Sequence, residues 1–156
     1  MRLNAPQKVR FSNSGNHISF QGSRFLAVWD IKSGATRLTA YDAFPVAGDG
    51  IVFSHDDRLA TAPLEMADDG FARLATWDLE TGQELWRTKL PAKVTASVSY
   101  MSNTDTLLVG DQLGGVLWTY NARTGEQLGE IDLRRYGQPV RVANAGTGKT
   151  QVLTMR

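Results

Sequence analysis

The stretch 143–150 contains the residues of this sequence that could most readily do chemistry. It places Gly146, Gly148, Lys149 and Thr150 at the spacing of a relaxed phosphate-binding loop, in which backbone amides, a lysine and a hydroxyl hold phosphates and magnesium. The first glycine of that motif is alanine here, and six residues follow Thr150, too few for the helix and the magnesium aspartate. Residues 140–146 also repeat residues 9–15 with Val, Arg, Asn and Gly identical. We therefore predict the opening hairpin of a fourth structural repeat, with no nucleotide bound.

The other chemically capable side chains do not form a catalytic pattern. His17 and His55 are 38 positions apart and lack nearby carboxylates at metal-ligand spacing, as a metal site would require. Two aspartate pairs, at 56–57 and 68–69, fall in predicted turns, where aspartate commonly accepts hydrogen bonds from backbone amides. The chain has no cysteine, which excludes a disulfide scaffold and thiolate metal ligands. We expect no enzyme activity, no metal and no cofactor.

Three similar segments show which elements must position any functional residue. Each has an aromatic-polar pair followed by a turn glycine, and the glycines, Gly34, Gly82 and Gly125, are 48 and 43 residues apart. That spacing is typical of a β-propeller, in which each repeat forms one four-stranded blade. Residues 1–156 are therefore predicted to be one all-β propeller segment, with repeats at about 9–42, 50–90, 94–133 and a partial repeat at 139–156.

Turn chemistry and apolar patterns predict the strands within these repeats. In the third strand of the first repeat, residues on both faces are apolar, as expected for blades that stack face to face. Trp29 and Trp77 recur in register, so both are predicted to be buried between neighbouring blades. The predicted strands are Val9–Ser12, His17–Gln21, Phe25–Ile31 and Thr36–Tyr41; Ile51–Ser54, Arg58–Leu64, Arg73–Leu79 and Glu84–Leu90; Val94–Met101, Thr106–Gly110, Gly115–Ala122 and Gln127–Leu133; and the hairpin Val140–Ala143 with Gln151–Met155.

The repeated turn after each third strand has a local physical explanation. A tight hairpin often needs a residue with positive φ, which glycine adopts without steric cost. Asp30 and Asp78 precede these turns, and their carboxylates are expected to accept hydrogen bonds from turn amides. Their predicted role is structural.

The segment Trp77 to Trp86 resembles a blade of the WD-repeat and quinoprotein-like propellers, and the resemblance covers roughly residues 9–156. The Leu85-Trp86 ending is more similar to the quinoprotein-like branch, and the Gly-His pair of WD-repeat blades is absent. The resemblance implies the propeller fold and does not by itself imply one function.

Composition narrows the classes of partner. Seventeen basic and sixteen acidic residues give a net charge of +1, which provides no argument for nucleic acid. Every acidic residue lies between Asp30 and Asp132, whereas residues 1–29 and 133–156 contain only basic charges. No apolar run reaches the length of a membrane span, and the first 25 residues lack a secretory pattern. We expect no nucleic acid, no membrane and a cytoplasmic location.

The best candidate for a partner contact follows the third repeat. Arg134 and Arg135 lie beside Tyr136, and Arg141 follows shortly after. An ordinary solvated loop is the alternative interpretation of this basic cluster.

The sequence favours a non-catalytic protein interaction or scaffold module, because a rigid propeller presents loops and strand edges without needing catalytic groups. A sensor or regulatory part of a larger signalling protein is the alternative, and a propeller enzyme, either a quinoprotein-like dehydrogenase or a hydrolase, is less favoured. Three and a half blades do not close a ring, since known propellers have at least four. A protein partner or the chain's own copy must complete it, and we rank a larger propeller or a different partner slightly above a symmetric homodimer.

Overall fold

The computed structural model describes residues 8–22, 24–41, 44–45, 50–65, 71–91, 96–111, 115–136, 138–144 and 150–155. Within these residues the chain forms antiparallel sheets and one short 3-10 helix. The protein is an all-β propeller segment of about three and a half blades, as the repeats predict.

Blade one contains strands β1 (Lys8–Phe11), β2 (His17–Gln21), β3 (Phe25–Asp30) and β4 (Thr36–Tyr41), paired in that order. All four predicted strands are present within one residue at each end. Turn glycines and short polar residues separate the strands, so each pair forms an antiparallel hairpin.

Blade two contains β5 (Phe44–Pro45), β6 (Val52–Phe53), β7 (Leu59–Glu65), β8 (Ala72–Asp78) and β9 (Glu84–Lys89). Strands β5 and β6 both pair with β7, so two short segments share the position that one strand occupies in blade one. The sequence pattern did not predict β5.

Blade three contains β10 (Ala96–Tyr100), β11 (Thr106–Asp111), β12 (Val116–Asn121) and β13 (Gln127–Asp132). The 3-10 helix at Arg134–Tyr136 leads into a hairpin of β14 (Gln138–Asn144) and β15 (Thr150–Met155), which we call the end hairpin. This confirms the predicted fourth-repeat strands on both sides of the phosphate-loop-like stretch, whereas Lys149 itself lies outside the described residues.

The blades stack in one direction through apolar cores. One face of blade one packs on blade two, and the opposite face of blade two packs on blade three. The first strands converge, because β10 approaches both β6 and β14, and β14 also contacts β11 and β12. The first core contains Leu26, Val28, Leu38, Ile51, Phe53, Ala60, Ala62, Leu64, Ala75, Trp77 and Leu79; the second contains Leu59, Ala72, Leu74, Leu90, Val98, Tyr100, Leu107, Val109, Trp118, Tyr120 and Ala122.

The turn predictions are confirmed in all three blades. Gly34, Gly82 and Gly125 have φ values of 69°, 72° and 74°. The Asp30 carboxylate accepts a 2.8 Å hydrogen bond from the Ser33 amide. Asp78 accepts equivalent bonds of 2.8 Å from the amides of residues 80 and 81.

One packing prediction is half wrong. Trp29 and Trp77 do occupy equivalent positions, each at the bulge between the third and fourth strands of its blade. Trp77 is buried, but Trp29 is exposed because no described sheet covers its side of blade one. The predicted strand position of Trp29 is correct, and only the expected covering blade is missing among the described residues.

Candidate partner-binding surfaces

Blade one has an apolar face that no other described blade covers, which we call the open face. Cross-strand partners in an antiparallel pair share a face, so the register defines this surface. One row joins Val9, Phe20 and Ala27, and the next joins Phe11, Ile18 and Trp29. The complete set read from the register is Val9, Phe11, Ile18, Phe20, Phe25, Ala27, Trp29, Thr36, Thr39 and Tyr41.

The open face carries aromatic side chains in contact with solvent. Tyr41 is 76% exposed and Phe11 is 64% exposed, although both belong to regular strands. The Phe20 and Trp29 rings contact each other at 4.5 Å between centroids, tilted by 49°. Clustered apolar exposure of this kind marks an interaction surface more often than single exposed residues do. The open face is therefore a candidate docking surface for a protein.

Charged residues do not occur among the register positions of the open face. Lys8 and Arg10 alternate with Val9 and Phe11 along β1, and they share rows with Gln21 and Ser19. Because successive strand residues point to opposite faces, these two basic side chains belong to the other side of the sheet. The paired positions of the open face are therefore uncharged, and Arg37, the extra residue at the bulge of β4, donates to Asp30.

A polar latch ties the rim of blade one to blade two, and Asp57 is its centre. Its carboxylate accepts hydrogen bonds from the Ser12 hydroxyl at 2.7 Å, from the amides of Asn13 and Ser14 at 3.1 Å each, and from the Ser14 hydroxyl. The Asn13 side-chain amide donates to the Ser54 carbonyl at 2.9 Å. Asp57 is buried with φ of 56°, a conformation that Asp tolerates better than most residues. The contact is 45 residues apart in sequence, so local patterns gave no signal for it.

A polar cleft of about 620 Å³ lies at the same rim, between the turns of blades one and two. The Asp30 carboxylate also accepts a 3.1 Å bond from Arg37, and His17 Nε2 lies 4.0 Å from it. The backbone amide and hydroxyl of Ser33, followed by Arg37, hold the pKa of Asp30 well below its usual range. Acidic and basic groups both line the cleft, so it has no single charge preference: Ser14, Asn16, His17, Asp30, Lys32, Arg37, His55, Asp56, Asp57, Arg58, Leu79 and Glu80.

The residues predicted for partner contact lie on two successive elements. Arg134, Arg135 and Tyr136 form the 3-10 helix, and Arg141 is on β14, paired in register with Leu153. The Arg134 guanidinium donates to Asp132 at 2.6 and 2.9 Å, which lowers the pKa of Asp132 to about 2. Arg134 is therefore locally neutralised. The structure places the cluster beside the end hairpin.

The remaining chemically capable groups remain separated or structural. Within the described ranges, no group of three His, Cys, Asp or Glu residues could hold a metal ion. Asp56 forms part of a turn, and Asp68 and Asp69 lie outside the described residues. In the same part of the chain, none of the helical structure is long and apolar enough to cross a membrane.

Stacked four-stranded antiparallel blades, with apolar residues on both faces, define a β-propeller protein of the WD-repeat and quinoprotein-like class. Residues 26–153 match the quinoprotein-like family model described as outer membrane protein assembly factor BamB, and the chain belongs to that family. No curated protein sequence matches the chain significantly.

Solved structures show the same fold at low sequence identity. The crystal structure of RRP9 WD40 repeats is similar with a TM-score of 0.69 and 9% identity, over 99% of this chain and 52% of that chain. The structure of U3-55K is similar with a TM-score of 0.63 and 11% identity, over 84% of this chain and 40% of that chain. This chain therefore spans about half the length of these WD-repeat structures or less.

Proposed function

We propose that the protein is a non-catalytic interaction scaffold whose open face receives a further β-sheet blade. The observation that carries this proposal is the solvent exposure of Phe11, Trp29 and Tyr41 on a regular, uncharged sheet face. Leaving such a face in water is unfavourable by about 25 cal/mol per Å² of apolar surface. A partner that covers it gains that free energy.

The chemistry of the partner follows from the junctions inside the chain. Blade one covers blade two with small aliphatic side chains, including Leu26, Val28 and Leu38. The same face of blade three is covered by Leu59, Leu74 and Leu90 of blade two. The occupant of the open face is therefore a β-sheet that presents aliphatic side chains such as Leu and Val at the centre of the contact.

The basic cluster supplies a second contact in this proposal. Arg134, Arg135 and Tyr136 precede the end hairpin, and Arg141 is on its first strand. This cluster lies away from the open face, so it is a separate candidate contact.

The family match supports a scaffold role in general terms, since the family description is that of an assembly factor. A sensor or regulatory propeller remains the alternative function. A quinoprotein-like dehydrogenase is a further alternative because of the family's character, but no geometry among the described residues favours it.

Photocrosslinking in the producing cells tests the proposal. Benzoylphenylalanine replaces Phe11 on the open face, and in a matched control it replaces Leu128, an exposed residue of β13 in blade three. We expect crosslinks to a β-sheet polypeptide from position 11 and few from position 128. Equal yields from both positions, or none from position 11, would overturn the proposal.

A further inference from the structure

We infer that the β-sheet received by the open face carries a carboxylate in its first turn, between its first and second strands, and that this carboxylate pairs with Lys32. The inference rests on the proposed function and specifies the chemistry of the partner. It follows from a comparison of one turn position in the three blades.

A repeated backbone hydrogen bond defines that position. In each blade, the residue two places after the third-strand aromatic donates its amide to a carbonyl of the first turn. The three bonds, at 2.8, 2.8 and 2.7 Å, are Ile31 to Asn16, Leu79 to Arg58 and Ala122 to Asp105. The next residue along the chain therefore occupies an equivalent place in every blade, beside the acceptor residue. These three residues are Lys32, Glu80 and Arg123.

The charge at this position is paired in blades two and three. Glu80 lies 3.4 Å from the Arg58 guanidinium, and Arg123 lies 2.6 Å from the Asp105 carboxylate. In blade one the neighbour is Asn16, which has no charge. Lys32 is exposed at the edge of the polar cleft, and among the described residues no carboxylate pairs with it. Lys32 is therefore a cation without a partner at a position that is otherwise used for ion pairs.

Arg123 shows what a cation at this position does between blades. Its guanidinium also lies 3.7 Å from the Asp56 carboxylate, which belongs to the first turn of blade two. Arg123 thus joins the first turn of its own blade to the first turn of the preceding blade. Lys32 has the same sign of charge at the same position of blade one. The sheet on the open face takes the place of a preceding blade, so its first turn is where a carboxylate would meet Lys32.

The junction between blades one and two uses a different charged group, and blade one lacks the residue for it. Gly15 occupies the place of Asp57, because both have positive φ and both donate their amides to the carbonyl three residues earlier. Glycine has no carboxylate, so blade one cannot form a polar latch with the sheet on its open face. Lys32 is in place for the contact that Arg123 makes.

Charge reversal at Lys32 tests the inference with the photocrosslink from position 11. Crosslink yields are compared at low and high salt in lysates of cells that produce the wild type, Lys32→Glu or Lys32→Arg. We expect Lys32→Glu to lower the yield about fivefold at low salt, because two carboxylates would then face each other. Lys32→Arg should keep the yield, and high salt should reduce the difference. Arg87→Glu, which makes the same change in net charge on β9 of blade two, is the matched control and should leave the yield unchanged.

Carbodiimide coupling then locates the carboxylate. The reagent activates a carboxylate, the Lys32 amine attacks its carbonyl carbon to form an amide, and the reagent leaves as a urea. We expect mass spectrometry to find Lys32 joined to an Asp or Glu of the sheet that is crosslinked from position 11. An undiminished position-11 yield in Lys32→Glu, or no Lys32 coupling in that complex, would overturn this inference and leave the scaffold function intact. Absence of any crosslink from position 11 would overturn both.

Discussion

Equivalent positions in blade one and blade two differ in solvent exposure. In blade one they lie on the open face, whereas in blade two they lie on the face that blade one covers. Phe11 is 64% exposed in blade one, whereas its counterparts Phe53 and Tyr100 in blades two and three are 8% and 4% exposed. Trp29 is 40% exposed, and its counterpart Trp77 is 3% exposed. Residue type is similar at each position, so the difference comes from the presence of a preceding blade. The comparison shows that one blade specifies its strands by itself but leaves its burial to its neighbour.

The turn glycines show the same difference on a smaller scale. A Cβ on Gly82 would lie 2.6 Å from the Arg37 carbonyl oxygen of blade one, and a Cβ on Gly125 would lie 2.6 Å from the Trp86 ring of blade two. A Cβ on Gly34 in blade one would meet nothing within 4 Å. Positive φ favours glycine in all three turns, and a preceding blade adds a second steric requirement at Gly82 and Gly125.

We expect the largest difference in stability between alanine variants of Trp77 and Trp29. Trp77→Ala should lower the free energy of unfolding by about 3–5 kcal/mol, since it leaves a cavity in the first core. Trp29→Ala should cost under about 1 kcal/mol at concentrations where the chain is monomeric. Urea unfolding of both variants, followed by circular dichroism, measures the difference. Equal losses would break the comparison between covered and open faces.

Removing the polar latch should cause the next largest loss of stability. Asp57→Ala removes a buried carboxylate that accepts several hydrogen bonds, and we expect a loss of about 2–3 kcal/mol. Asp105→Ala removes the partly exposed ion pair with Arg123 in blade three, and it should cost under about 1 kcal/mol. Asp57→Asn keeps tolerance for positive φ and isolates the charge. If Asp57→Ala left the thermal unfolding midpoint unchanged, apolar packing alone would hold blade one to blade two.

The glycine comparison should give a smaller difference. Gly34→Ala and Gly125→Ala both place a side chain at positive φ, so both incur a similar backbone cost of about 1 kcal/mol. Gly125→Ala also forces Trp86 to move, which should add about 1–3 kcal/mol. Denaturation midpoints of the two variants measure this excess. If Gly34→Ala were the more destabilising change, the close approach at Gly125 would not matter.

The smallest expected effect is the pH dependence of stability that comes from the turn aspartates, and it should be the same in blades one and two. Local hydrogen bonds lower the pKa of Asp30 and of Asp78, mainly from the amides of Ser33 and Thr81. The unfolded chain therefore takes up these protons first as pH falls, and the associated stability is present above pH about 4 and lost below it. Carboxyl NMR titration should give both midpoints below the ordinary value of 3.8. An ordinary midpoint for Asp30 alone would mean that the turn depends on the preceding blade.

The parts of the structure that follow from nearby residues were predictable. Strand order, the turn glycines and the roles of Asp30 and Asp78 all depend on contacts within a few residues or one hairpin. The exposure of Trp29 was not predictable from its register with Trp77, because burial needs a neighbouring sheet. The open face was visible only as alternation of Val9 and Phe11 with basic residues, a pattern that also fits a covered blade.

Contacts distant in sequence were missed for a related reason. The bond between Ser12 and Asp57 joins two turns in different repeats, and neither turn has a residue type unusual for a turn. At the start of the 3-10 helix, Arg134 lies close to Gly115, which is 19 residues away in sequence, and its amide donates to Asp132. The partner-contact role of Arg134, Arg135, Tyr136 and Arg141 stays a prediction.

In the polar latch, the Asp57 carboxylate accepts hydrogen bonds from four donors of blade one. These bonds resist the separation of that end of blade one from blade two. The Ser12 end of β1 is fastened to blade two through the polar latch, whereas Tyr41 at the opposite end of the blade is exposed. Local opening of blade one should therefore start at the Tyr41 end and reach the polar latch last. In hydrogen exchange, amides in the pairing of Phe25 with Tyr41 should lose protection before those in the pairing of Phe11 with Ile18. We then expect the blades to unfold in order, starting from the open face. Breaking the hydrogen bonds of Asp57 would be the first large free-energy cost.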